Sequence, residues 1–410
     1  MFFLYNLLGF FFLIISPVIL LIRVVIGKED IKRVLEKYSF FRKEKFKATV
    51  WFHGASVGEI MSILPIIKKF ENDKSIKKIL LTSTTVSSAS IIEKKKLKKT
   101  THVYFPFDVN FICNNFLKNW KPKIAVFVDS EIWPNMFKKL EANGIPIILI
   151  NGRITKKSFE KWKKFPTFAK KIFSKITLAL PQNHESKIYL KKLGVNKLKY
   201  IGNLKYFREK EKRSRSDLKQ YFKNRRIFCA ASTHYNEEKL IGKLHLDLKK
   251  KYQNLITILI PRHINRSNSI SNELKELDLN VIRRSSGKKP NHNCDIYIVD
   301  TYGEMSKFLK FSKITFVGGS LVNHGGQNPL EAVSLGNYII HGKKVGNFKE
   351  IYEKLKKLSI ATEVENINDM KQIFSNKYNY KKSKRILKKI ENMGEEIFRK
   401  NILEIKNYLR

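Results

Sequence analysis

The sequence predicts an α/β protein of two doubly wound, Rossmann-like domains facing across a cleft, with an amino-terminal membrane-anchor helix. Three observations carry that expectation. Short apolar runs alternate with longer helical patterns after residue 27, in two successive series of about 180 residues each. The runs are continuous rather than alternating, which suits strands buried on both faces of a parallel sheet. A basic stretch, Arg208–Arg226, separates the two series and shows no apolar periodicity until Leu218.

Composition narrows the class. The 410 residues hold 81 Lys and Arg against 36 Asp and Glu, a net charge of +45. A hydrophobic share of 43% supplies material for two cores and excludes a disordered chain. Cys113, Cys229 and Cys294 are scattered, which excludes a disulfide scaffold and fits a reducing compartment. The positive surplus points to negatively charged partners, whether nucleic acid, anionic membrane or phosphorylated small molecules. A general bias toward Lys, Asn, Ile and Phe accounts for part of it equally well.

The elements follow in order. Met1 to Ile22 is apolar apart from Tyr5, Asn6, Gly9, Ser16 and Pro17, and Arg23 is the first charge. About 20 such residues reach across a bilayer core. A positive leading region and a small-residue cleavage site are both missing, so residues 1–27 read as a retained anchor. Arg23, Lys28, Lys32 and Arg33 behind it put the body of the protein on the cytoplasmic side. The anchor spans the bilayer or lies in its interface, with spanning preferred.

The first domain, 28–207, has expected strands at Ala48–His53, Ile79–Thr82, Val103–Phe105, Ile124–Val128, Pro146–Ile150 and Ile176–Leu180. Helices are expected at Glu59–Phe70 and Ser87–Lys98. The second, 208–380, opens on a linker and a first helix. Its expected strands are Ile227–Ala230, Leu255–Ile260, Asn280–Arg283, Ile296–Val299, Ile314–Val317 and Tyr338–Ile340. Residues 381–410 have amphipathic spacing, with Ile386, Leu387, Ile390, Met393, Ile397 and Ile402 on one face.

Four motifs stand at strand exits. His53-Gly54-Ala55-Ser56-Val57-Gly58-Glu59 offers backbone N–H groups to a ligand and Glu59 as a general base. Ser56 and Glu59 also have the spacing of a capping box, and the two readings are compatible. Asp129-Ser130-Glu131-Ile132-Trp133-Pro134 puts two carboxylates where α/β sheets bind ligands, on the same side if the strand geometry continues. A solvated turn with Trp133 as a packing anchor explains it as well.

The third motif is composite: Asn203-Leu204-Lys205, Ser232-Thr233-His234 and Pro261-Arg262-His263 bring hydroxyl, imidazole and cationic groups to strand ends, suiting a phosphate or carboxylate. In the fourth, Gly318-Gly319-Ser320 is followed by His324-Gly325-Gly326-Gln327-Asn328-Pro329-Leu330-Glu331. Asn328 as N-cap, Pro329 at N1 and Glu331 at N3 predict a helix start, and Gly336 its end. A helix start with glycines before it suits a nucleotide phosphate, with Glu331 accepting from ribose hydroxyls.

In this order the motifs resemble those of the 3-deoxy-D-manno-octulosonic acid (Kdo) transferases, inner-membrane enzymes of lipopolysaccharide assembly. The resemblance spans nearly the whole chain. Besides the anchor and the four motifs, it takes in Tyr104-Phe105-Pro106-Phe107-Asp108, Asn151-Gly152-Arg153, Asp300–Glu304 and Asn347-Phe348.

The resemblance implies a GT-B glycosyltransferase fold, CMP-Kdo as donor and a lipid A precursor (lipid IVA) as acceptor. It also implies transfer with inversion, without metal or cofactor. Glu59 matches the family's general base and Glu131 a second important carboxylate. Lys205, Ser232, Thr233, Arg262, His263, Gly319, Gly326, Asn328 and Glu331 fall on the CMP-Kdo side, and Ser56, Gly58 and Arg153 on the acceptor side. Asp129 and Ser130 stand where Glu and Thr are usual, so Asp129 receives no catalytic role.

An anionic inner-membrane surface is the further expected partner, met by Arg33, Lys37, Arg42, Lys43, Lys45 and Lys47. The alternative reading is another GT-B nucleotide-sugar enzyme, a 2-epimerase or a different membrane-associated glycosyltransferase. A specific nucleic-acid role is set aside, because no recognition motif accompanies the charge.

Overall fold

The computed structural model describes residues 1–41, 46–209, 218–380 and 384–409. The chain divides into two units: Met1–Glu209 with Met393–Arg410, and Lys210–Asn392.

In the first unit the strands are β1 (Val50–His53), β2 (Ile79–Ser83), β3 (Thr100–Tyr104), β4 (Ala125–Val128), β5 (Ile147–Gly152) and β6 (Leu178–Pro181). They form one parallel sheet in the order β3-β2-β1-β4-β5-β6. Successive side chains point to opposite faces, and both faces are covered. Trp51, Ala125 and Phe127 pack with Phe116, Trp120 and Phe137 on one side. Phe52, Val126 and Val128 pack with Ile60, Ile63 and Ile67 of the helix Val57–Glu71 on the other. That is why the strands read as unbroken apolar runs. Strand order reverses between β1 and β4, the place where open α/β sheets take their ligands.

The second unit repeats the plan with β7 (Arg226–Thr233), β8 (Leu255–Pro261), β9 (Val281–Arg283), β10 (Ile296–Ile298), β11 (Ile314–Val317), β12 (Tyr338–Gly342) and β13 (Ala361–Val364). Its parallel order is β13-β12-β11-β7-β8-β10-β9, so the reversal falls between β7 and β11.

Several expectations need correction. The helix after β2 is Val86–Glu93, because Lys96 is left-handed at φ 47° and turns the lysine run into a loop toward β3. Asn203-Leu204-Lys205 does not follow a strand, because the preceding residues, Tyr200–Gly202, are irregular. Among the described residues of the expected linker and first helix there is a short 3-10 turn, Lys219–Phe222; residues 210–217 lie outside the described residues. Ser232 and Thr233 belong to the end of β7 rather than following it. The edge strand β13, carrying Thr362 and Glu363, was not expected at all. Arg33 and Lys37 turn inward onto Glu36 and Glu29, so they are not lipid-facing, and Arg42, Lys43 and Lys45 lie outside the described residues.

The amino-terminal helix is Phe2–Val25, long and apolar enough to cross a membrane. The carboxyl-terminal helix, Lys384–Asn407, puts Ile397, Ile402 and Ile405 into the first unit's core; residues 381–383 of the expected span are not described. It lies so close to the loop after Gly202 that a Cβ on Gly394 would come within 2.5 Å of the Tyr206 carbonyl oxygen. Phe398 stacks on Phe207 at 3.9 Å. The helix therefore backs the loop that carries Lys205.

Ile405→Ala is expected to cost the first unit about 2–5 kcal/mol through the cavity it leaves. Trp51, Trp120, Trp133 and Trp162 all lie in that unit, so denaturant unfolding followed by tryptophan fluorescence reads the loss directly.

Candidate active site

In the first unit the switch point gathers carboxylates. Ser56 caps the helix Val57–Glu71: its Oγ accepts from the Glu59 N–H at 3.4 Å. Glu59 Oε2 in turn accepts from the Ala55 N–H at 2.6 Å and the Ser56 N–H at 3.1 Å. The capping box is thus formed, and it aims the Glu59 carboxylate back across the loop. Burial, then the Glu131 and Asp129 charges, push its pKa up to about 7, against the two N–H groups that favour the anion.

Glu131 lies against two ring nitrogens. Its Oε2 lies 3.1 Å from His53 Nε2 and 2.9 Å from Trp133 Nε1. His53 is wholly buried, with Nδ1 2.9 Å from Thr82 Oγ1, which also accepts from Trp51 Nε1. A Thr82 hydroxyl that donates to Nδ1 leaves the ring hydrogen on Nε2, pointing at Glu131.

Asp129 does not continue the strand. Its φ is 54°, and its carboxylate turns to Asn151 Nδ2 and toward Lys205 Nζ, 3.9 Å away. The expectation that Asp129 and Glu131 act from one side fails there, because the left-handed residue sends the two side chains to different partners.

Lys205 is placed by its own loop. The Asn203 side chain accepts from the Lys205 N–H at 2.9 Å, and Asn151 Oδ1 accepts from the Leu204 N–H at 3.1 Å. The structure thus sets Lys205 beside a carboxylate of its own unit. Arg153 is half-buried, its N–H donating to the Asp129 carbonyl. Gly58 is exposed on the first helical turn, where a Cβ would meet Ser56 Oγ at 4.0 Å.

In the second unit β7 and β11 end side by side. Glu237, wholly buried, accepts from four backbone N–H groups, those of His234, Gly319, Ser320 and Leu321, at 2.7 to 3.1 Å. The Gly319 N–H is therefore taken by a side chain. The two glycine pairs close on each other, Gly326 N–H to the Gly319 carbonyl and Gln327 N–H to that of Gly318. A Cβ on Gly318 would stand 2.5 Å from the Ser232 carbonyl oxygen, so only glycine lets the two strand ends meet.

The helix behind Asn328 is only Leu330–Ser334, with Pro329 at the N-cap position and Asn328 Oδ1 accepting from the Leu330 N–H. Five residues make a weak dipole, so the expected phosphate site at a helix start lacks its main support there. Glu331 sits half-buried in that single turn. Ser232 is left-handed, at φ 55°.

Arg262 and His263 are exposed after β8, and the Arg262 N–H donates to the Thr233 carbonyl. The His234 ring stacks on His324 at 4.1 Å and meets His263 edge-on at 5.7 Å. Burial, then His324, His263, Arg262 and Arg266, push His234 down to about 4. It is a neutral ring at physiological pH, and its Nε2 lies 3.0 Å from the Gln327 amide.

Residues 32–208 match the profile of a family described as 3-Deoxy-D-manno-octulosonic-acid transferase (kdotransferase). The 3-deoxy-D-manno-octulosonic acid transferase of Rickettsia bellii (strain RML369-C) is 35% identical over 352 residues, covering 85% of this chain and 84% of its own. This chain belongs to that family. The transferase of the same name from Haemophilus influenzae is 31% identical over 379 residues, 90% of this chain and 88% of its own. Kdo transferases are glycosyltransferases, and this one has the GT-B type of fold. The UDP-GlcNAc 2-epimerase of Neisseria meningitidis bound to UDP-GlcNAc shares that fold, with a TM-score of 0.55 at 13% identity over 85% of this chain and 95% of its own.

Reading this Kdo transferase from sequence missed two residues, His53 and Glu237. Each is a buried polar group next to a strand end, yet their partners are 78 and 82 to 84 residues away. Only the buried position of His53 inside an apolar strand was a signal.

Two outcomes are expected. Carboxyl carbon shifts should show Glu59 titrating near pH 7, and moving lower in Glu131→Gln, where a repelling charge is gone. A Glu59 that titrates like a free glutamate contradicts this. Glu237→Gln, which leaves buried N–H groups unmatched, should lower stability to urea by about 3 kcal/mol.

Proposed function

We propose that this transferase moves Kdo from CMP-Kdo to a lipid A precursor, lipid IVA, in lipopolysaccharide assembly, with inversion and without a metal. Family membership supports the sugar. The observation that carries the mechanism is Glu59, its carboxyl raised to about 7 beside Glu131 at the first unit's switch point. A base poised near working pH is half ready to accept a proton and strong enough to take it.

The step is one displacement. The acceptor hydroxyl oxygen bonds to the anomeric carbon while the bond from that carbon to the CMP phosphate oxygen breaks. The electron pair leaves on CMP, the proton passes to Glu59, and back-side attack inverts the centre. Glu131, held by His53 and Trp133, keeps a negative charge near Glu59 and so keeps it basic.

Ser56, Gly58 and Arg153 are assigned to the acceptor. Ser232, Thr233, Arg262, His263, Gly319, Gly326, Asn328 and Glu331 are assigned to the donor together with Lys205, which then neutralises phosphate charge from the first unit's loop. For the leaving phosphate, cationic side chains replace the helix start. Gly319 and Gly326 serve by closeness of backbone rather than by free N–H groups. The amino-terminal helix attaches the enzyme to the cytoplasmic face of the inner membrane, where the acceptor resides.

Incubating the purified enzyme with CMP-Kdo and lipid IVA and weighing the products tests donor, acceptor and number of additions together. Glu59→Gln should lose transfer by about a thousandfold or more while CMP-Kdo affinity stays unchanged. In the unaltered enzyme kcat/KM should rise with pH through about 7, since the base works only when deprotonated. Retained turnover in Glu59→Gln overturns the assignment.

A further inference from the structure

The amino-terminal helix Phe2–Val25 touches its own unit along its entire length, and on one stripe. The Phe2 ring meets Phe168 edge-on at 5.0 Å. Tyr5 Oη donates to Asp108 Oδ2 at 2.8 Å. A Cβ on Gly9 would come 3.4 Å from Val109. Phe12 packs on Phe107 at 5.0 Å, and the Ser16 and Tyr38 hydroxyls share a hydrogen bond of 2.6 Å. Leu20 is 6% exposed, and Arg23 Nε donates to Glu29 Oε1 at 2.8 Å. Positions 2, 5, 9, 12, 16, 20 and 23 are three or four apart and so lie on one helical face. From first to last they run about 32 Å at the usual helical rise.

The opposite face is bare hydrocarbon. Phe3 is 79% and Val25 80% exposed, with Phe11, Ile14, Val18 and Leu21 between them. Two exposed rings lie beside the stripe's contacts: Phe40, two residues from Tyr38, and Phe111, two residues from Val109. Exposed Lys28 and Lys32 follow the helix end.

We infer that this helix is an in-plane anchor, lying lengthwise at the headgroup–acyl boundary of one leaflet of an anionic phospholipid bilayer and not crossing it. The inference rests on the membrane attachment proposed above. Its own hydrophobicity would let the helix span; the unit fastened along its side prevents it. Crossing with the contacts intact would carry Asp108, Glu29 and Lys138 (which stands over the Phe2 ring) toward the hydrocarbon. Charged groups in the hydrocarbon are strongly disfavoured. Crossing with the contacts broken would take the Tyr5 hydroxyl into lipid without its Asp108 partner and leave Ser16 only its own helix's Leu13 carbonyl. Lying flat keeps every contact and buries the bare face, while Lys28 and Lys32 reach the anionic headgroups.

The test uses the full chain added to the outside of phosphatidylglycerol–phosphatidylethanolamine vesicles. A nitroxide is placed in turn at Phe3→Cys, Phe11→Cys, Val18→Cys and Val25→Cys; the native cysteines are buried. Power saturation with oxygen and a nickel chelate should give all four labels the same shallow depth, within about 5 Å of one another. A depth that passes through a maximum, with the Phe3 label reachable only from the vesicle lumen, means a crossing helix and overturns the inference alone. Labels shielded from lipid by a second copy of the chain also overturn it. Failure to bind vesicles at all overturns the membrane attachment and the inference together.

Discussion

Much in the first unit depends on one carboxylate being asked to do two opposing things. Glu59 closes a capping box, and its two backbone donors favour the anion. Burial and the Glu131 charge favour the acid, and they prevail, since the pKa rises to about 7. Without the cap the side chain would be free to swing into water. Without Glu131 burial would still raise its pKa, but by less. The requirement reaches back into the core, because Glu131 is held through His53, and His53 through Thr82 and Trp51. An aromatic layer of Trp51, Phe105, Phe127 and Trp133 surrounds that chain and keeps water from it.

The second unit puts a glutamate to the other use. Glu237 follows the first strand of its sheet much as Glu59 does, but all its accepting capacity goes to N–H groups of the neighbouring strand ends. It is a clasp. Because the Gly319 N–H is spent on it, the proposed donor recognition relies on side chains, Arg262 and His263 among them. His234, surrounded by two imidazoles and two guanidinium groups, stays neutral and acts through hydrogen bonding and stacking.

What could be read from sequence follows from burial. Strands covered on both faces leave continuous apolar runs, so every strand inside the sheets was legible. The edge strand β13 was not, because Thr362 and Glu363 break its run. The Ser56–Glu59 cap was legible because both partners sit within one turn. The Glu131–His53 and Glu237 contacts were not, since the chain closes them over about 80 residues and spacing carries no trace of them. Asn328 and Pro329 marked the helix start one residue early, since Pro329 takes the N-cap position, and the end was legible in Gly336, left-handed at φ 79° just past Leu335.

The two terminal helices explain the remaining placement. The carboxyl-terminal helix enters the first unit's core and leaves no room for a side chain at Gly394 or Gly202, which fixes the loop of Asn203 to Phe207. Lys205 is consequently held near Asp129 by Asn151 and Asn203 with the carboxyl-terminal helix behind the loop. The amino-terminal helix binds the other side of the same region through Asp108, whose carboxylate also accepts the Asn135 and Met136 N–H groups at the start of the helix behind Trp133. A residue that grips the anchor therefore also positions the turn that presents Glu131. The proposed membrane attachment and the proposed catalytic carboxylates thus rest on one buried aspartate, a more local determinant than the net charge of +45.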